Sequence, residues 1–229
     1  LNGGYKNYRN NVSEMLHKKP VNFNFILISG HTGTAKTEII QVLKSFGTQT
    51  IDLEKLANHR GSVFGANLTK RPSQKLFESY LFNELKLLNC KKPVVLEAES
   101  NKIGQVTIPS MIWNIMKTAP RIAIEAPLHE RAIYLTKTYK TLVGNRDELD
   151  KRIEFLTNQH GYKKIQKWKD LAKAEKFVDL ATDLMLTHYD PRYKNSQGKT
   201  ILKCWLPSIE IKTLNEPSIL RVAKKISKI

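Results

Sequence analysis

Short apolar runs alternate with amphipathic segments through the first part of the chain. Four runs predict buried strands, at residues 25–28, 48–53, 94–97 and 121–125. Apolar residues between these runs recur at helical spacing, which predicts helices, the longest of them starting near Ser73. This alternation is typical of a parallel sheet covered by helices on both faces. We therefore predict an α/β core over residues 1–140, with an entry helix at residues 5–17.

The pattern changes beyond residue 140, where helical spacing dominates. Three helices are marked by apolar pairs: Leu149 with Ile153, Ile165 with Trp168, and Ala181 with Met185. Residues 200–206 alternate weakly, which predicts a late strand paired with residues 209–211, and Pro217 can start a last helix. We predict that residues 141–229 form a mainly helical region packed on the core.

The charge balance separates this chain from an average globular protein. It has 38 Lys and Arg against 21 Asp and Glu, a formal net charge of +17. Such a field concentrates polyanions, of which nucleic acid is the commonest, although a solvated lysine-rich surface would give the same count. The two cysteines, Cys90 and Cys204, do not form a disulfide or metal pattern. Without an apolar run of membrane length or a signal-peptide pattern, we expect a cytoplasmic protein with no membrane partner.

A candidate phosphate-binding loop follows the first strand and opens the next helix. The P-loop pattern requires two glycines followed by Lys and then Ser or Thr, and here Ala35 replaces the second glycine. Inward-pointing amides, the helix N-terminus and Lys36 would bind phosphate, and Thr37 would hold Mg²⁺. The alternative is a glycine-rich turn with an incidental lysine. The candidate residues are Gly30, His31, Thr32, Gly33, Thr34, Ala35, Lys36 and Thr37.

Ala35 is the departure from the pattern that matters physically. Alanine favours the right-handed helical conformation and does not readily take the left-handed one that glycine permits. We therefore expect Gly33 to supply part of the loop's conformational freedom. Together with the sheet pattern, the loop predicts a P-loop NTPase-like α/β fold followed by a helical C-terminal region.

Two glutamates stand where a P-loop enzyme places an acidic residue. Glu97 and Glu99 come at the end of the third predicted strand, and strand alternation puts both on one face. Either could position Mg²⁺ or a water molecule, or act as a general base. The alternative is that both are polar loop residues at a strand end.

Several stretches of the chain together match the pattern of one family. They are residues 3–9, 29–37, 52–65, 72–78, 97–104 and 188–193, the last reading His-Tyr-Asp-Pro-Arg-Tyr. The long run Leu-Ala-Asn-His-Arg-Gly-Ser-Val-Phe-Gly at residues 56–65 is the most specific. Over residues 3 to about 205 the chain resembles the P-loop domain of the tRNA 2-selenouridine synthases of bacteria and archaea.

The resemblance implies a transferase that works in two steps on the wobble 2-thiouridine of tRNA. Geranyl diphosphate alkylates the sulfur and releases pyrophosphate, and selenophosphate then displaces the S-geranyl group to give 2-selenouridine. Typical members carry a rhodanese-like domain ahead of the P-loop domain. We find no such domain in this chain, so we expect either a segment of a longer enzyme or one half of a split enzyme with a rhodanese-like partner.

The same resemblance changes the expected ligand of the loop from ATP to a prenyl diphosphate. Stabilising the departing pyrophosphate would then fall to Lys36, the loop amides and Arg60, whose planar guanidinium suits phosphate. Asn58 and His59 flank Arg60 in the candidate site, although Arg60 could be a structural loop residue and His59 a core residue. Mg²⁺ stays an open requirement.

Basic residues of the later helices are the predicted contacts to the tRNA anticodon stem-loop. Tyr162 and Trp168 are interleaved with them and could stack on unpaired bases, although Trp168 could equally pack inward. Two alternatives stay open: a small-molecule or nucleotide kinase using ATP and Mg²⁺, and a non-catalytic module that binds tRNA and diphosphate. The basic residues are Lys137, Lys140, Arg146, Lys151, Arg152, Lys163, Lys164, Lys167, Lys169 and Lys173.

Overall fold

The fold is a parallel sheet between helical layers. The computed structural model describes residues 3–18, 22–59, 64, 71–193 and 205–229. Within these ranges five strands form one parallel sheet in the order β2-β3-β1-β6-β7, and β4 pairs with β5 in a separate antiparallel hairpin. The strands are β1 Phe25–Ser29, β2 Gln49–Ile51, β3 Val94–Glu97, β4 Lys102–Ile103, β5 Val106–Thr107, β6 Arg121–Glu125 and β7 Trp205–Glu210.

Helices connect and cover these strands, and several begin at a polar cap. The side chains of Ser73, Asn145 and Asn215 each accept a hydrogen bond from an amide of the following first turn. In the described part of the chain, π-helical turns occur at Glu14–Lys18 and Met185–Tyr189. The α-helices are α1 Gly4–Ser13, α2 Lys36–Ser45, α3 Leu53–Leu56, α4 Gln74–Lys86, α5 Ser110–Thr118, α6 Leu128–Thr138, α7 Lys140–Val143, α8 Arg146–Glu154, α9 Thr157–Lys173, α10 Phe177–Leu184 and α11 Glu216–Ile226.

The central strand β1 is buried on both sides, which confirms the predicted layered α/β fold. Phe25 and Leu27 pack into a cluster with residues of α1, α4 and α5. Ile26 and Ile28 face the opposite way and pack with residues of α2 and α11. Because successive side chains of a strand point to opposite faces, one apolar run supplies both cores.

The last strand was predicted incorrectly. The pattern predicted pairing between residues 200–206 and 209–211, but Trp205–Glu210 is one strand that pairs in parallel with β6. Residues 200–204 lie outside the described residues. The α11 helix packs beside it on α2, so the chain returns to the sheet after the helical region. A parallel partner lies far away in sequence, and a local pattern cannot identify it.

A separate apolar cluster holds α8, α9 and α10 together beside the sheet. Trp168 is fully buried in it, with Ile153, Leu180 and Leu184, so the inward-packing alternative for Trp168 is correct. The α6 helix, for which the sequence pattern gave no prediction, contacts α10. None of the helices in the described part of the chain is long and apolar enough to cross a membrane.

Candidate functional site

The glycine-rich loop joins β1 to α2 at the carboxyl end of the sheet's central strand. Gly30 and Gly33 both have positive φ, 156° and 85°. A Cβ on Gly30 would come within 2.7 Å of the Ile124 carbonyl oxygen, and one on Gly33 within 3.0 Å of the Arg131 carbonyl oxygen. Glycine is therefore required at both positions, because the loop passes directly over β6 and α6.

Ala35 adopts the left-handed backbone conformation, which was not expected for alanine. Its φ of 57° and ψ of 27° lie in the left-handed region, immediately before the first residue of α2. The expectation that alanine would avoid this conformation is wrong here, although Gly33 also has positive φ, as expected. Such a residue costs about 1–2 kcal/mol, and the buried methyl group packs in the core with Ile39. The loop therefore keeps its shape without the usual second glycine.

Lys36 holds its charge over the loop. Its Nζ donates to the carbonyl oxygens of Gly30, at 2.9 Å, and of His31, at 3.3 Å. The Thr34 hydroxyl donates to the same His31 oxygen at 2.9 Å. The ammonium group is therefore held against the carbonyl oxygens of the loop.

Three carboxylates face the loop and form what we call the acid cluster: Glu54, Glu97 and Glu99. One oxygen of each lies within 4.8 Å of the others. Glu97 ends β3, the neighbour of β1, as the sequence predicted for an acidic residue. Glu54 was missed, although it follows β2 closely and all parallel strands end at the same edge of the sheet.

Proton affinity in the acid cluster is abnormally high. Burial, reinforced by neighbouring carboxylates, raises the pKa of Glu97 to about 8 and that of Glu54 to about 9. The pKa of Glu99 is also raised by burial. Lys36 and a hydrogen bond from Thr37 oppose the shift at Glu97. Glu97 Oε1 is buried and has no hydrogen-bond partner among the described residues, so this side chain can accept a proton or a hard cation.

A second group of residues braces the loop from outside, and we call it the Asp190 clasp: His31, Arg131 and Asp190. Arg131 donates to both carboxylate oxygens of Asp190, at 3.0 and 2.8 Å, and to the Thr32 carbonyl oxygen at 3.2 Å. His31 Nδ1 lies 3.1 Å from Asp190. Although burial alone would raise the pKa of Asp190, these hydrogen bonds hold it far below its usual range.

Residues 188–193, used above only as a family signature, therefore form part of the site. The Tyr193 hydroxyl lies 2.7 Å from Ser29 Oγ, and its ring centroid lies 4.4 Å from that of His31 with the ring planes tilted by 47°. Arg192 lines the cavity above the loop and donates to Gln159 at 2.6 Å. Burial and nearby Arg192 lower the pKa of His188 to about 4, so a neutral imidazole nitrogen lies 3.2 Å from this guanidinium.

The structure gathers most of the sequence-predicted site residues into one open cavity. Apart from His31, which lies in the clasp, all candidate loop residues line it, as do Glu97 and Glu99. Asn58 and His59 also line it, and buried His59 packs so closely on Gly104 that a Cβ there would lie 2.9 Å away. Arg60, the predicted phosphate-binding arginine, lies outside the described residues. Arg131 and Arg192 are the arginines that the structure brings to the loop instead, and the sequence argument missed both.

The predicted tRNA contacts separate into buried and exposed groups. Arg152 is buried, pairs with Glu148 at 2.8 Å and donates to the Phe64 carbonyl oxygen, so it serves the fold. Tyr162 has 85% of its surface exposed and is available for stacking. The exposed lysines of the predicted set are Lys137, Lys140, Lys151, Lys163, Lys167 and Lys173.

Comparison with known proteins assigns the family. Residues 23–164 match the family model of the tRNA 2-selenouridine synthase AAA domain. The tRNA 2-selenouridine synthase of Chromohalobacter salexigens is 32% identical over 222 residues, covering 85% of this chain and 59% of that protein. The enzyme of the same name from Bdellovibrio bacteriovorus is 38% identical over 136 residues, covering 57% of this chain and 35% of that protein.

The relatives are matched over only part of their length, and the structural match is weak. The chain covers 59% or less of the length of these two relatives. A crystal structure of TT1252 from Thermus thermophilus aligns over 89% of this chain and 95% of that one with a TM-score of 0.39 and 15% identity, too weak to bear on function. The sequence match and the parallel P-loop sheet agree. The chain therefore belongs to the tRNA 2-selenouridine synthase family, of which it contains the AAA domain.

Proposed function

We propose that this chain is the P-loop half of a tRNA 2-selenouridine synthase and that its loop binds the diphosphate of geranyl diphosphate. The observation that supports this most directly is the loop itself, with Lys36 over the cradle and Arg192 across the same cavity. Family membership supports tRNA modification as the process. The P-loop cradle suits pyrophosphate as well as it suits a nucleotide, because both present the same anionic oxygens.

The proposed reaction is an alkylation of wobble 2-thiouridine. The sulfur forms a bond to C1 of the geranyl group, and the bond from C1 to the diphosphate oxygen breaks with its electron pair on oxygen. The N3 proton of the base leaves, so the product is neutral S-geranyl-2-thiouridine and pyrophosphate. Lys36, the loop amides and Arg192 stabilise the charge that grows on the leaving oxygen. Arg60 keeps its proposed role as a further phosphate contact.

The acid cluster has two proposed roles in this reaction. Glu97 or Glu99 accepts the proton released from the base, or the cluster holds Mg²⁺. The buried, unpartnered Glu97 Oε1 next to the Thr37 hydroxyl suits a hard cation with oxygen ligands. Mg²⁺ bound by Thr37 and Glu97 would neutralise charge on the diphosphate.

The tRNA and the selenation step define the proposed partners. Exposed lysines on helices α6 to α9 contact phosphates of the anticodon stem-loop. The affinity for tRNA should therefore fall steeply as the salt concentration rises. A rhodanese-like domain or subunit carries out displacement of the S-geranyl group with selenophosphate. A flat salt response of tRNA binding in electrophoretic shifts would contradict the lysine contacts.

The direct experiment combines the isolated chain, geranyl diphosphate and 2-thiouridine tRNA, with product detection by mass spectrometry of the nucleosides. We expect S-geranyl-2-thiouridine from the wild type and at least a 100-fold lower rate from Lys36→Ala, since a charged contact to the leaving group is lost. Lys44→Ala removes an exposed lysine from the same helix and serves as the control. Equal rates in the two variants would overturn the proposal.

Two other functions give different results in the same mixture. An ATP-dependent small-molecule or nucleotide kinase is favoured by Glu97 standing beside Thr37, and it would hydrolyse or transfer from ATP with Mg²⁺ and without tRNA. A non-catalytic tRNA- and diphosphate-binding module would bind geranyl diphosphate without forming product. Omitting one component at a time from the mixture therefore separates the three.

A further inference from the structure

A second, apolar pocket opens beside the P-loop cavity, between α6 and α10. We call it the α6–α10 pocket, and it holds about 560 Å³ of empty space up to its open mouth. The enclosed part of this space is only about 70 Å³, well below the roughly 300–1,000 Å³ of drug-sized ligand sites, so the pocket accommodates a narrow group. Its walls are formed mainly by Leu135, Tyr139, Leu180, Ala181, Leu184 and Met185.

The pocket adjoins the phosphate cavity. Thr32 of the loop, Leu135, Tyr139 and Tyr189 line both the pocket and the P-loop cavity. A molecule with its anionic head in the loop could therefore direct an apolar tail past these shared residues toward the pocket. The Asp190 clasp fixes this junction, because Arg131 on α6 is bonded to the Thr32 carbonyl oxygen and to the residue after Tyr189.

The lining selects against a nucleotide base in the same place. A purine or pyrimidine needs hydrogen-bond partners for its edge, and burying it without them costs free energy. Most of the lining offers only hydrocarbon, and the Thr136 hydroxyl already donates to the Ile133 carbonyl oxygen. At the far end, Leu149, Leu180 and Leu184 belong to the packed core of the helical region. The pocket therefore fits an unbranched or branched hydrocarbon.

We propose that the α6–α10 pocket binds the hydrocarbon chain of the diphosphate donor. The proposal rests on the proposed function, because it takes the P-loop as the diphosphate site. It goes further by assigning the tail to a junction between the sheet and the helical region. The helical region then has a role in recognising the donor besides its proposed contact with tRNA.

Calorimetric titration of the full chain with inorganic pyrophosphate and with geranyl diphosphate tests the pocket. We expect the wild type to bind geranyl diphosphate about 100-fold or more tightly than pyrophosphate, because the geranyl group is transferred from water into the apolar pocket. Ala181→Phe fills the pocket from the partly buried Ala181 and should remove most of that difference, while pyrophosphate affinity stays within about twofold. Leu186→Phe adds an aromatic ring at an exposed position just beyond α10 and should keep the difference.

A chain-length series guards against a variant that fails to fold. On the wild type, affinity should rise from dimethylallyl to geranyl diphosphate by about tenfold or more, since five more carbons are buried. Equal affinity for pyrophosphate and both prenyl diphosphates would overturn the pocket assignment while leaving the phosphate site intact. Loss of binding to every diphosphate, by contrast, would contradict the proposed function itself.

Discussion

The loop side and the acid side of the P-loop cavity differ in how their charged groups are paired. On the loop side, every strong charge has a close partner: Lys36 lies on two carbonyl oxygens, and Arg131 pairs with Asp190 through two hydrogen bonds. On the acid side, half-buried Glu54 lies near buried Glu97, and their pKa values are raised to about 9 and 8. The loop side is therefore fixed before a ligand arrives, whereas the acid side changes its charge with pH and with bound cations.

The largest effect should come from breaking the Asp190 clasp. Asp190→Asn leaves buried Arg131 without its charged partner, and we expect the free energy of unfolding to fall by about 3 kcal/mol. Pyrophosphate affinity should fall as well, since Thr32 loses its brace. Urea denaturation and calorimetry measure the two effects. Asp179→Asn, at an exposed position of α10, is the control, and an equal effect of both substitutions would contradict a special role for the clasp.

A smaller effect of opposite sign is expected on the acid side. Because the pKa of Glu97 is raised from 4.5 to about 8, the folded state binds more protons than the unfolded state in this range. The associated stability is present below pH 4.5 and is lost as the pH rises through 8. Glu97→Gln cannot ionise, so it should be more stable than the wild type at pH 9, on the order of 1–2 kcal/mol.

The measurement for Glu97→Gln is thermal or urea denaturation at pH 5, 7 and 9 without divalent cations. Exposed Glu125 at the end of β6 provides the matched control, and Glu125→Gln should leave the pH profile unchanged. If the acid cluster binds Mg²⁺, adding this cation should raise the stability of the wild type at pH 9. The same addition should stabilise Glu97→Gln less. Parallel pH profiles of the wild type and Glu97→Gln would show that the cluster is not protonated at neutral pH.

The backbone of the loop predicts a still smaller effect. Ala35→Gly removes the strain of a left-handed alanine but adds chain entropy to the unfolded state, so we expect a net gain of about 0.5–1 kcal/mol. Ala172→Gly, at a buried helical position in the last turn of α9, should instead destabilise by about 1 kcal/mol. Denaturation midpoints of the two variants make the comparison, and a loss of stability in Ala35→Gly would mean that the methyl contact outweighs the strain.

The smallest effect should come from charges outside the cavity. Substituting Lys137 and Lys140 by alanine should weaken tRNA binding by less than about tenfold and reduce the salt slope by about 2, one for each lost phosphate contact. Binding of pyrophosphate should not change. Electrophoretic shifts between low and moderate salt measure the slope, and an unchanged slope would place the tRNA on another surface.

Sequence reasoning predicted those candidate residues that directly follow or end an apolar strand. The loop, Lys36 and the start of α2 follow β1, and Glu97 ends β3, so each can be found from its local pattern. Glu54 was within reach as well, because it follows β2 at the same edge. Asp190 and Arg192 could not be placed, because nothing local shows that residues 188–193 return to the loop from more than 150 residues away.

The sequence by itself determined the alternation of strands and helices, the glycine-rich loop after β1 and the strong positive charge, since each depends on spacing or composition. Only the tertiary structure decided which arginines reach the loop, that β7 pairs with β6, and that Ala35 holds a left-handed conformation. The physical reason is the same in each case. Ion pairs, parallel pairing and backbone strain depend on contacts between distant segments, and those contacts exist only once the sheet and the helical region have packed together.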